Sequence, residues 1–550
     1  MIKEQIAKDI KKTLDSLKLK FKENFTVERP NNPKFGDYST NIALKNAKIN
    51  KIKPRKMAEK IAKRLSKFKE YKKVDIAGPG FININLSDTI YHRMLEKIFQ
   101  EKSKFGKSNY GNEKKVILEF VSANPTGPLN IVSARAAAYG DSMYRIFNFV
   151  GFNAFREYYM NDAGNQVIIL AESIDLRYRE LGGEEIDEFP PEAYSGEYVK
   201  DLAAKLRATH GKKIAHLSEK DRLEKMKEFA LEEIHNMQLE SLKRFGVKFD
   251  QWMSEKKLRD KGAIEEALSY LTEADCTYEK DGAVWFCSTE FGDEKDRVLM
   301  KKDGTITYFV PDIAYHITKY DREFDYIIDV LGPDHHGYVP RLKAAIQALK
   351  YDEKKLEVVF LQQINLLDKG ETVKMSKRAG KIVSLDDLID EVGKDAARYF
   401  FLNRKPSAHL NFDLELAKKH SNENPVYYCQ YAYARIHSLQ VKARRKKITL
   451  SRFEPKYFKF LDKEADIEII KKLMEFPELL IKIADSREPH RLANYAHELA
   501  GMFHRYYAKY RILGLKTRGI SFARLYLATC IKYVIKRSLK LMGISAPKKM

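Results

Sequence analysis

Hydrophobic and polar positions along the chain follow three different patterns, which predict three kinds of structure in succession. From Ile6 to Leu17, and again in the lysine-rich segment 54–68, apolar residues recur at the spacing of a helix. Residues 74–85 instead form two strand-like runs around a turn that contains glycine and proline. Residues 1–110 are therefore predicted to form a separate α+β domain.

In the middle of the chain, short apolar runs alternate with helical patterns, which is typical of a parallel sheet with helices on both faces. The runs predict strands at residues 115–118, 149–156, 297–300, 326–331 and 358–361. Residues 171–294 break this alternation. We interpret them as an insertion between the two halves, 111–170 and 295–405, of one doubly wound, Rossmann-like catalytic domain of the α/β class.

From residue 406 to residue 550 the pattern is almost wholly helical, which predicts an all-α C-terminal bundle. Residues 503–507 place aromatic side chains among cations. Side chains in such a pattern either stack on unpaired nucleic-acid bases or form the core between helices. The sequence leaves both interpretations open.

The composition favours an anionic polymer as the partner. The chain has 550 residues, with 100 Lys and Arg against 77 Asp and Glu, and a net charge of +23. Lysine and arginine gain affinity for nucleic acid by releasing counterions from phosphates. A lysine-rich proteome would produce the same charge, so the composition alone is compatible with both explanations.

The cysteines and the termini indicate the compartment. The four cysteines lie far apart, which excludes a sequence-local zinc ribbon or a dense disulfide framework and fits a reducing environment. The chain has no N-terminal signal core and no uncharged apolar run of about 18 residues. We therefore expect a cytoplasmic protein without membrane contact.

Residues 119–135 have the pattern of a phosphate-binding connection. A buried strand leads into segment 124–128, whose two prolines disfavour regular helix and strand, and an alanine-rich helix is predicted to begin near residues 130–133. This order places backbone N–H groups and the positive end of a helix against an anion. An ordinary strand-to-helix connection has the same pattern and remains an alternative.

A second stretch is rich in cations. Lys374, Lys377 and Arg378 fall within five positions, and Met375 and Ser376 lie between the two lysines. This arrangement is typical either of a solvated charge run or of a loop that closes over a polyphosphate.

Taken together, the two stretches resemble the signature pair of class I aminoacyl-tRNA synthetases. Segments 122–129, 334–338 and 424–428 resemble those of the bacterial-type arginyl enzyme, and the resemblance covers nearly the whole chain. It implies ligation of L-arginine to its cognate tRNA through an arginyl-adenylate, with ATP as substrate and Mg²⁺ accompanying it. It also implies that the N-terminal domain touches the outer corner of the tRNA and that the helical bundle binds the anticodon. We expect a monomer.

The resemblance assigns arginine binding to Glu119, Asn124, Tyr308 and Asp312. Carboxylates and hydrogen-bond acceptors suit a guanidinium group, which has five donors and is always charged. Tyr308 and Asp312 are four residues apart, so they are expected to share one face of a helical turn. An ordinary helix N-cap is the alternative role for Asp312.

The resemblance assigns ATP binding to the two signatures and to a loop after the strand at 326–331. The ATP-binding residues are expected to be Ala123, Pro125, Thr126, Gly127, Pro128, Leu129, Ile131, Val132, Gly332, Asp334, His335, Met375 and Ser376. Lys374 and Lys377 are expected to neutralise the phosphates. The paired histidines at 335 and 336 have no cysteine near them in sequence, so we expect no resident metal site.

The chain departs from the family at the first signature. Where the family has His-Ile-Gly-His, this chain has Asn130, Ile131, Val132 and Ser133. Asn130 and Ser133 remain the catalytic candidates, because each can still donate a hydrogen bond, but neither carries a positive charge. The departure predicts slow adenylate formation. It also keeps open the alternative of a synthetase-like tRNA-binding protein with weak or absent arginine activation.

Overall fold

The computed structural model describes residues 2–22, 24–30, 32–186, 188–373 and 384–550. Its N-terminal part packs helices on a four-stranded antiparallel sheet of order β1-β2-β4-β3. The helices are α1 (Ile2–Ser16), α2 (Ile42–Asn46), α3 (Pro54–Leu65) and α4 (Asp88–Glu101). The strands are β1 (Val27–Glu28), β2 (Tyr38–Thr40), β3 (Tyr71–Ala77) and β4 (Phe81–Leu86). The strand pair and the amphipathic helix predicted for this region are confirmed.

Among the described residues, the middle of the chain forms three sheets. Its strands are β5 (Lys115–Glu119), β6 (Asn153–Met160), β7 (Gln251–Ser254), β8 (Thr277–Lys280), β9 (Ala283–Phe286), β10 (Arg297–Met300), β11 (Tyr326–Leu331), β12 (Leu356–Phe360), β13 (Ile364–Asp368), β14 (Glu371–Val373) and β15 (Leu410–Asp413). Five of them form the central parallel sheet, in the order β12-β11-β5-β6-β7. The sheet orders of the other two are β10-β9-β8 and β14-β13-β15.

Helices cover the central sheet and build the parts between its strands. They are α5 (Ile131–Phe149), α6 (Asn165–Glu180), α7 (Glu197–His210), α8 (Glu219–Phe245), α9 (Glu255–Asp260), α10 (Ala263–Glu273), α11 (Phe309–Asp321), α12 (Val339–Ala348), α13 (Leu385–Val392), α14 (Lys394–Leu402) and α15 (Leu414–Lys418). Strand β5 lies at the centre because Val116, Ile117 and Leu118 are fully buried, as a strand covered on both faces requires.

Three strand predictions need correction. Strand β10 does not continue the central sheet but pairs antiparallel with β9, because the short connection between them permits a local pairing and not a parallel crossover. The sheet gains its fifth strand from β7, which lies inside the segment predicted as an insertion. The strand predicted at 149–156 begins only at Asn153, because α5 continues to Phe149 and Gly151 makes the turn at φ +94°.

Four long helices form the C-terminal part, as the helical pattern predicted. They are α16 (Pro425–Arg445), α17 (Glu464–Ser486), α18 (His490–Lys509) and α19 (Arg518–Leu541). Phe503 and Tyr506 of the aromatic segment are buried, so these two side chains form core between helices. Within the described ranges, no helix combines the length and apolar character needed to cross a bilayer.

The N-terminal part packs on this bundle. Helix α4 contacts α17 and α19, with Leu95 and Ile98 fully buried. Phe105, which follows it, is also buried and stacks on Phe476 at 6.1 Å between ring centroids. The Nζ atom of Lys471 lies 2.7 Å from a carboxylate oxygen of Asp37. The two ends of the chain are therefore held together by apolar and ionic contacts.

Candidate active site

The carboxyl ends of β5 and β11 meet at one edge of the central sheet, where ligands bind in open α/β folds. The two strands are parallel neighbours, and Glu119 pairs in register with Asp329. The loop after β5 carries the first predicted signature. The loop after β11 carries further predicted ATP-binding residues, which belong to neither signature. The fold thus brings the two groups side by side.

Asp312 lies in the first turn of α11 and is half-buried. The helix begins at Phe309, so the alternative that Asp312 is an N-cap is wrong. The hydroxyl of Tyr338 donates a short hydrogen bond to its Oδ2 atom. Burial, with smaller contributions from Glu119 and Glu255, raises the pKa of Asp312 to about 6 despite that hydrogen bond.

Glu119 forms part of a buried ionic cluster. One carboxylate oxygen lies 2.5 Å from Nζ of Lys319, and the same ammonium lies 2.7 Å from Asp329. Asp329 also contacts Nε2 of His316 at 2.8 Å. Burial lowers the pKa of the fully buried Lys319, but three carboxylates, Asp329, Glu119 and Glu157, raise it by more. The negative charge of Glu119 is therefore already shared with a cation of the protein.

Neighbouring carboxylates are paired in the same way. Arg322 binds Glu157 through two guanidinium nitrogens, and Arg259 binds Glu255. No described Lys or Arg side chain lies within salt-bridge distance of Asp312. In the part of the chain that the structure describes, Asp312 is thus the carboxylate of this group that retains capacity for an additional cation.

The backbone after β5 is strained. Val121 has φ +73° and Ser122 has φ +40°, values that β-branched and other non-glycine residues rarely adopt. Such residues cost on the order of 1–3 kcal/mol each and cluster at functional sites. The Ser122 hydroxyl donates to Glu119 at 2.8 Å and accepts from the Tyr159 N–H at 3.1 Å. The turn therefore fixes the orientation of Glu119.

The loop from Ala123 to Asn130 has neither helix nor strand, as its two prolines predicted. Pro125 and Leu129 are buried, as is Ile131 at the start of α5, and Ala123, Thr126, Gly127 and Pro128 are half-buried. Asn124 is exposed and donates to Oε1 of Gln166 at 2.6 Å. Its side chain is therefore bound to α6 in this structure.

Helix α5 begins directly after this loop. Asn130 is its N-cap, and the Asn130 side-chain oxygen accepts from the Ser133 N–H at 2.9 Å. Ser133 is buried, whereas Val132 is 41% exposed. The positive end of the α5 dipole thus faces the loop, with the branched Val132 side chain at its open surface.

The loop after β11 forms a short 3₁₀ turn, Pro333–His335, with Gly332 in front of it. Asp334 and His335 are exposed, and His336 stacks on Phe360 with ring centroids 3.7 Å apart. The loop ends at Tyr338, the residue that contacts Asp312. The loop after β11 therefore reaches both the predicted ATP site and, through Tyr338, the predicted arginine site.

The remaining predicted residues are placed differently. Tyr308 is 71% exposed, and its hydroxyl accepts from Arg341 at 3.2 Å. The hydrogen bond that the Asp312 carboxylate accepts comes instead from Tyr338. Lys374, Met375, Ser376 and Lys377 lie outside the described residues.

Sequence reasoning missed Lys319, Tyr338 and Glu255. Asp312, His316 and Lys319 recur four and three positions apart, and this spacing could have indicated that they share a helix face.

Family models match three consecutive parts of the chain. Residues 2–86 match "Arginyl tRNA synthetase N terminal domain", residues 94–418 match "tRNA synthetases class I (R), catalytic domain", and residues 429–550 match "DALR anticodon binding domain". The second of these matches covers more than half of the chain.

Similar proteins extend over almost the full length. An "Arginine--tRNA ligase" of Bacillus pumilus is 45% identical over 526 residues, which is 95% of this chain and 94% of that protein. One from Syntrophotalea carbinolica is 44% identical over 525 residues, with the same two shares. The structure of the Thermus thermophilus arginyl-tRNA synthetase has a TM-score of 0.75 and 20% identity, and each chain is covered completely. At that identity the third comparison concerns the fold alone.

Proposed function

Because the chain belongs to the arginyl-tRNA synthetase family, we propose that it selects arginine at Asp312 and activates it on ATP bound between the loops after β5 and β11. The family reaction, ligation of arginine to tRNA with ATP, is the function of this chain. The relatives that match over nearly its whole length are arginine–tRNA ligases. None of these comparisons favours a tRNA-binding protein that lacks arginine activation.

The observation that carries the assignment of the arginine site is the state of Asp312. A half-buried carboxylate with its pKa raised to about 6 is one whose ionised form is destabilised. A guanidinium group would stabilise that form by charge and by paired hydrogen bonds. Glu119, held by Lys319 and Ser122, would supply additional acceptor capacity at the same site.

The proposed first step needs no nucleophile from the protein. The carboxylate of arginine attacks the α-phosphorus of ATP, and pyrophosphate leaves. A ribose hydroxyl of the tRNA then attacks the acyl carbon, and AMP leaves. The protein contributes position and stabilisation of phosphate charge. In our proposal the N-terminus of α5, the Asn130 amide, Lys374 and Lys377 make that contribution.

We propose that Mg²⁺ enters this site together with ATP. The described residues contain no group of three or more His, Cys, Asp or Glu side chains that could hold a metal ion. The phosphate oxygens and water would therefore supply most ligands, as magnesium prefers, and the exposed Asp334 is the nearest candidate carboxylate of the loop after β11. Bound there, the ion would neutralise phosphate charge.

We further propose that the chain works as a monomer in the cytoplasm. One large apolar core contains buried side chains from the N-terminal, middle and C-terminal parts, and three smaller cores lie within the middle part. Such a core favours folding without a partner subunit.

An aminoacylation assay tests the function. Purified protein, ATP, Mg²⁺ and total tRNA are incubated with radiolabelled arginine or, as the control, with radiolabelled lysine. We expect acid-precipitable label with arginine only, and only when ATP is present. Absence of arginine charging under conditions in which tRNA is bound would overturn the proposal.

A further inference from the structure

We propose that helix α8 holds the loop after β5 and the start of helix α13 in place beside the ATP site, with Gln238 positioning the loop and Arg244 anchoring α13. This inference rests on the proposed ATP site and adds two positioning residues to it. Neither residue would touch the substrates.

Gln238 is buried, with 1% of its surface exposed. Its Nε2 atom donates to the carbonyl oxygens of Gly127 at 2.9 Å and Asn124 at 3.2 Å. Its Oε1 atom lies 2.9 Å from the hydroxyl of Tyr158 on β6. One amide group therefore fastens two carbonyls of the loop to the central sheet.

Helix α7 holds the same loop at a third point. The hydroxyl of Tyr198 donates to the carbonyl oxygen of Thr126 at 2.7 Å. A Cβ atom at Gly127 would lie 3.1 Å from the Tyr198 side chain, so any larger residue there would have to push this tyrosine aside by a few tenths of an ångström. Three carbonyls of the loop are thus bound from the side of the insertion.

Arg244 lies six residues after Gln238 on α8. Its guanidinium forms a short salt bridge with Asp386 and lies 2.5 Å from Asp390, both on α13. The Ser241 hydroxyl also donates to Asp386. The first turn of α13 is therefore held by two side chains of α8.

The two anchored segments also contact each other. The Leu385 N–H donates to the carbonyl oxygen of Leu129 at 2.7 Å, and Asn130 forms an antiparallel bridge with Ser384. Since a helix rises about 1.5 Å per residue, the two anchor points on α8 are roughly 9 Å apart along its axis. A rigid helix at that spacing fixes the first signature relative to the start of α13.

The expected consequence is kinetic. Arg244 and its partners are partly exposed, so their pairing contributes little to folding stability. A shift of α13 or of the loop after β5 would instead misplace groups around ATP. Loss of either anchor should therefore appear mainly as a higher KM for ATP and only to a small extent as a lower unfolding temperature.

The test uses Gln238→Met, which keeps the side-chain volume but removes the hydrogen bonds, and Arg244→Gln. Lys243→Gln is the matched control, because Lys243 is exposed on α8 and pairs only locally with Glu240 among the described residues. Each variant is assayed by arginine-dependent ATP–pyrophosphate exchange with tRNA present. We expect the KM for ATP to rise about five- to tenfold in the two test variants, as for loss of one or two hydrogen bonds, and to stay unchanged in the control.

Two further measurements make the result decisive. Arg244→Lys should have a KM for ATP close to that of the wild type. In the double variant Gln238→Met/Arg244→Gln, the increase in the KM for ATP should be smaller than the product of the two single increases, because the two anchors act on one assembly. An unchanged KM for ATP in Arg244→Gln would overturn the inference, even if Gln238→Met fails to fold. A wild-type chain without exchange activity would overturn the proposed function instead, so the two failures are distinguishable.

Discussion

Among the described carboxylates of the site, Asp312 has the environment that best suits binding of an additional cation. Its carboxylate is half-buried near Glu119 and Glu255, yet its described hydrogen-bond partner is a hydroxyl, that of Tyr338. Glu119, Glu157 and Glu255 each already have a Lys or Arg beside them. Arginine binding would complete this pattern of charges at the site.

Replacement of Asp312 by Asn should stabilise the protein in the absence of arginine. The pKa of Asp312 is raised from 3.8 to about 6 in the folded state, so the folded chain binds the proton more tightly than the unfolded chain. The stability that this group contributes is full below pH 4 and is lost as pH rises through 6. At about 1.4 kcal/mol per pH unit, the ionised group costs on the order of 2–3 kcal/mol at neutral pH.

Thermal unfolding at pH 5 and pH 7.5 checks this prediction. Asp312→Asn should unfold at a higher temperature than the wild type at pH 7.5, the difference should shrink at pH 5, and added arginine should stabilise the wild type only. Asp303→Asn, the same change on an exposed turn, is the control. A destabilised Asp312→Asn variant that arginine still protects would contradict this account of the residue.

The altered first signature gives a second prediction at this scale. Combined replacement Asn130→His, Val132→Gly and Ser133→His should raise kcat/KM for ATP at least about a hundredfold, because one recovered donor to developing phosphate charge has that effect. Loss of the Asn130 cap will cost roughly 0.5–2 kcal/mol of helix stability. Pyrophosphate exchange measures the rate. An unaltered rate would mean that this segment does not contact ATP.

The site residues differ in how far the sequence could predict them. The resemblance predicts Glu119 and Asp312 as arginine-binding residues, and both remain proposals. Lys319 contacts Glu119 across 200 positions of sequence, and Gln238 contacts Asn124 across 114. Such partners are determined by the tertiary fold, and no local pattern predicts them.

At the scale of elements, strands β5 and β11 could be predicted because their apolar runs are continuous and buried. Strand β10 was assigned to the wrong sheet, since a four-residue run has the same composition whether it pairs locally or across a crossover. Strand β7 escaped prediction because Gln251, Trp252, Met253 and Ser254 mix polar and apolar residues at the sheet edge. Short strands at edges carry too few buried positions for a reliable periodicity.

The packing of α4 predicts different outcomes for two N-terminal deletions. Removal of residues 1–87 leaves α4, whose His92 and Phe99 rings stack on Phe458 and Tyr526 of the C-terminal part. Removal of residues 1–105 exposes that apolar surface. We expect the shorter deletion to remain folded and soluble and the longer one to aggregate, as size-exclusion chromatography and circular dichroism will show. Equal solubility of the two would contradict the role assigned to α4.

At the scale of the whole molecule, the net charge of +23 predicts salt-sensitive binding of tRNA. Each phosphate contact releases counterions, so affinity should fall by at least about tenfold between 50 and 200 mM salt. Fluorescence anisotropy of labelled tRNA measures this, with the KM for arginine at each salt concentration as the control. Affinity that stays flat over this range would argue against phosphate contacts as the main attraction.

The most direct test of the central claim is ATP–pyrophosphate exchange with tRNA present, comparing arginine with citrulline, its neutral analogue, and with lysine. A truncated buried charge pair costs about 2–5 kcal/mol, which corresponds to at least a thirtyfold change. We predict that arginine exceeds both analogues by at least that factor in kcat/KM, and that Asp312→Asn loses a similar factor for arginine. Equal exchange with citrulline, or an unchanged kcat/KM for arginine in Asp312→Asn, would contradict selection of arginine at Asp312.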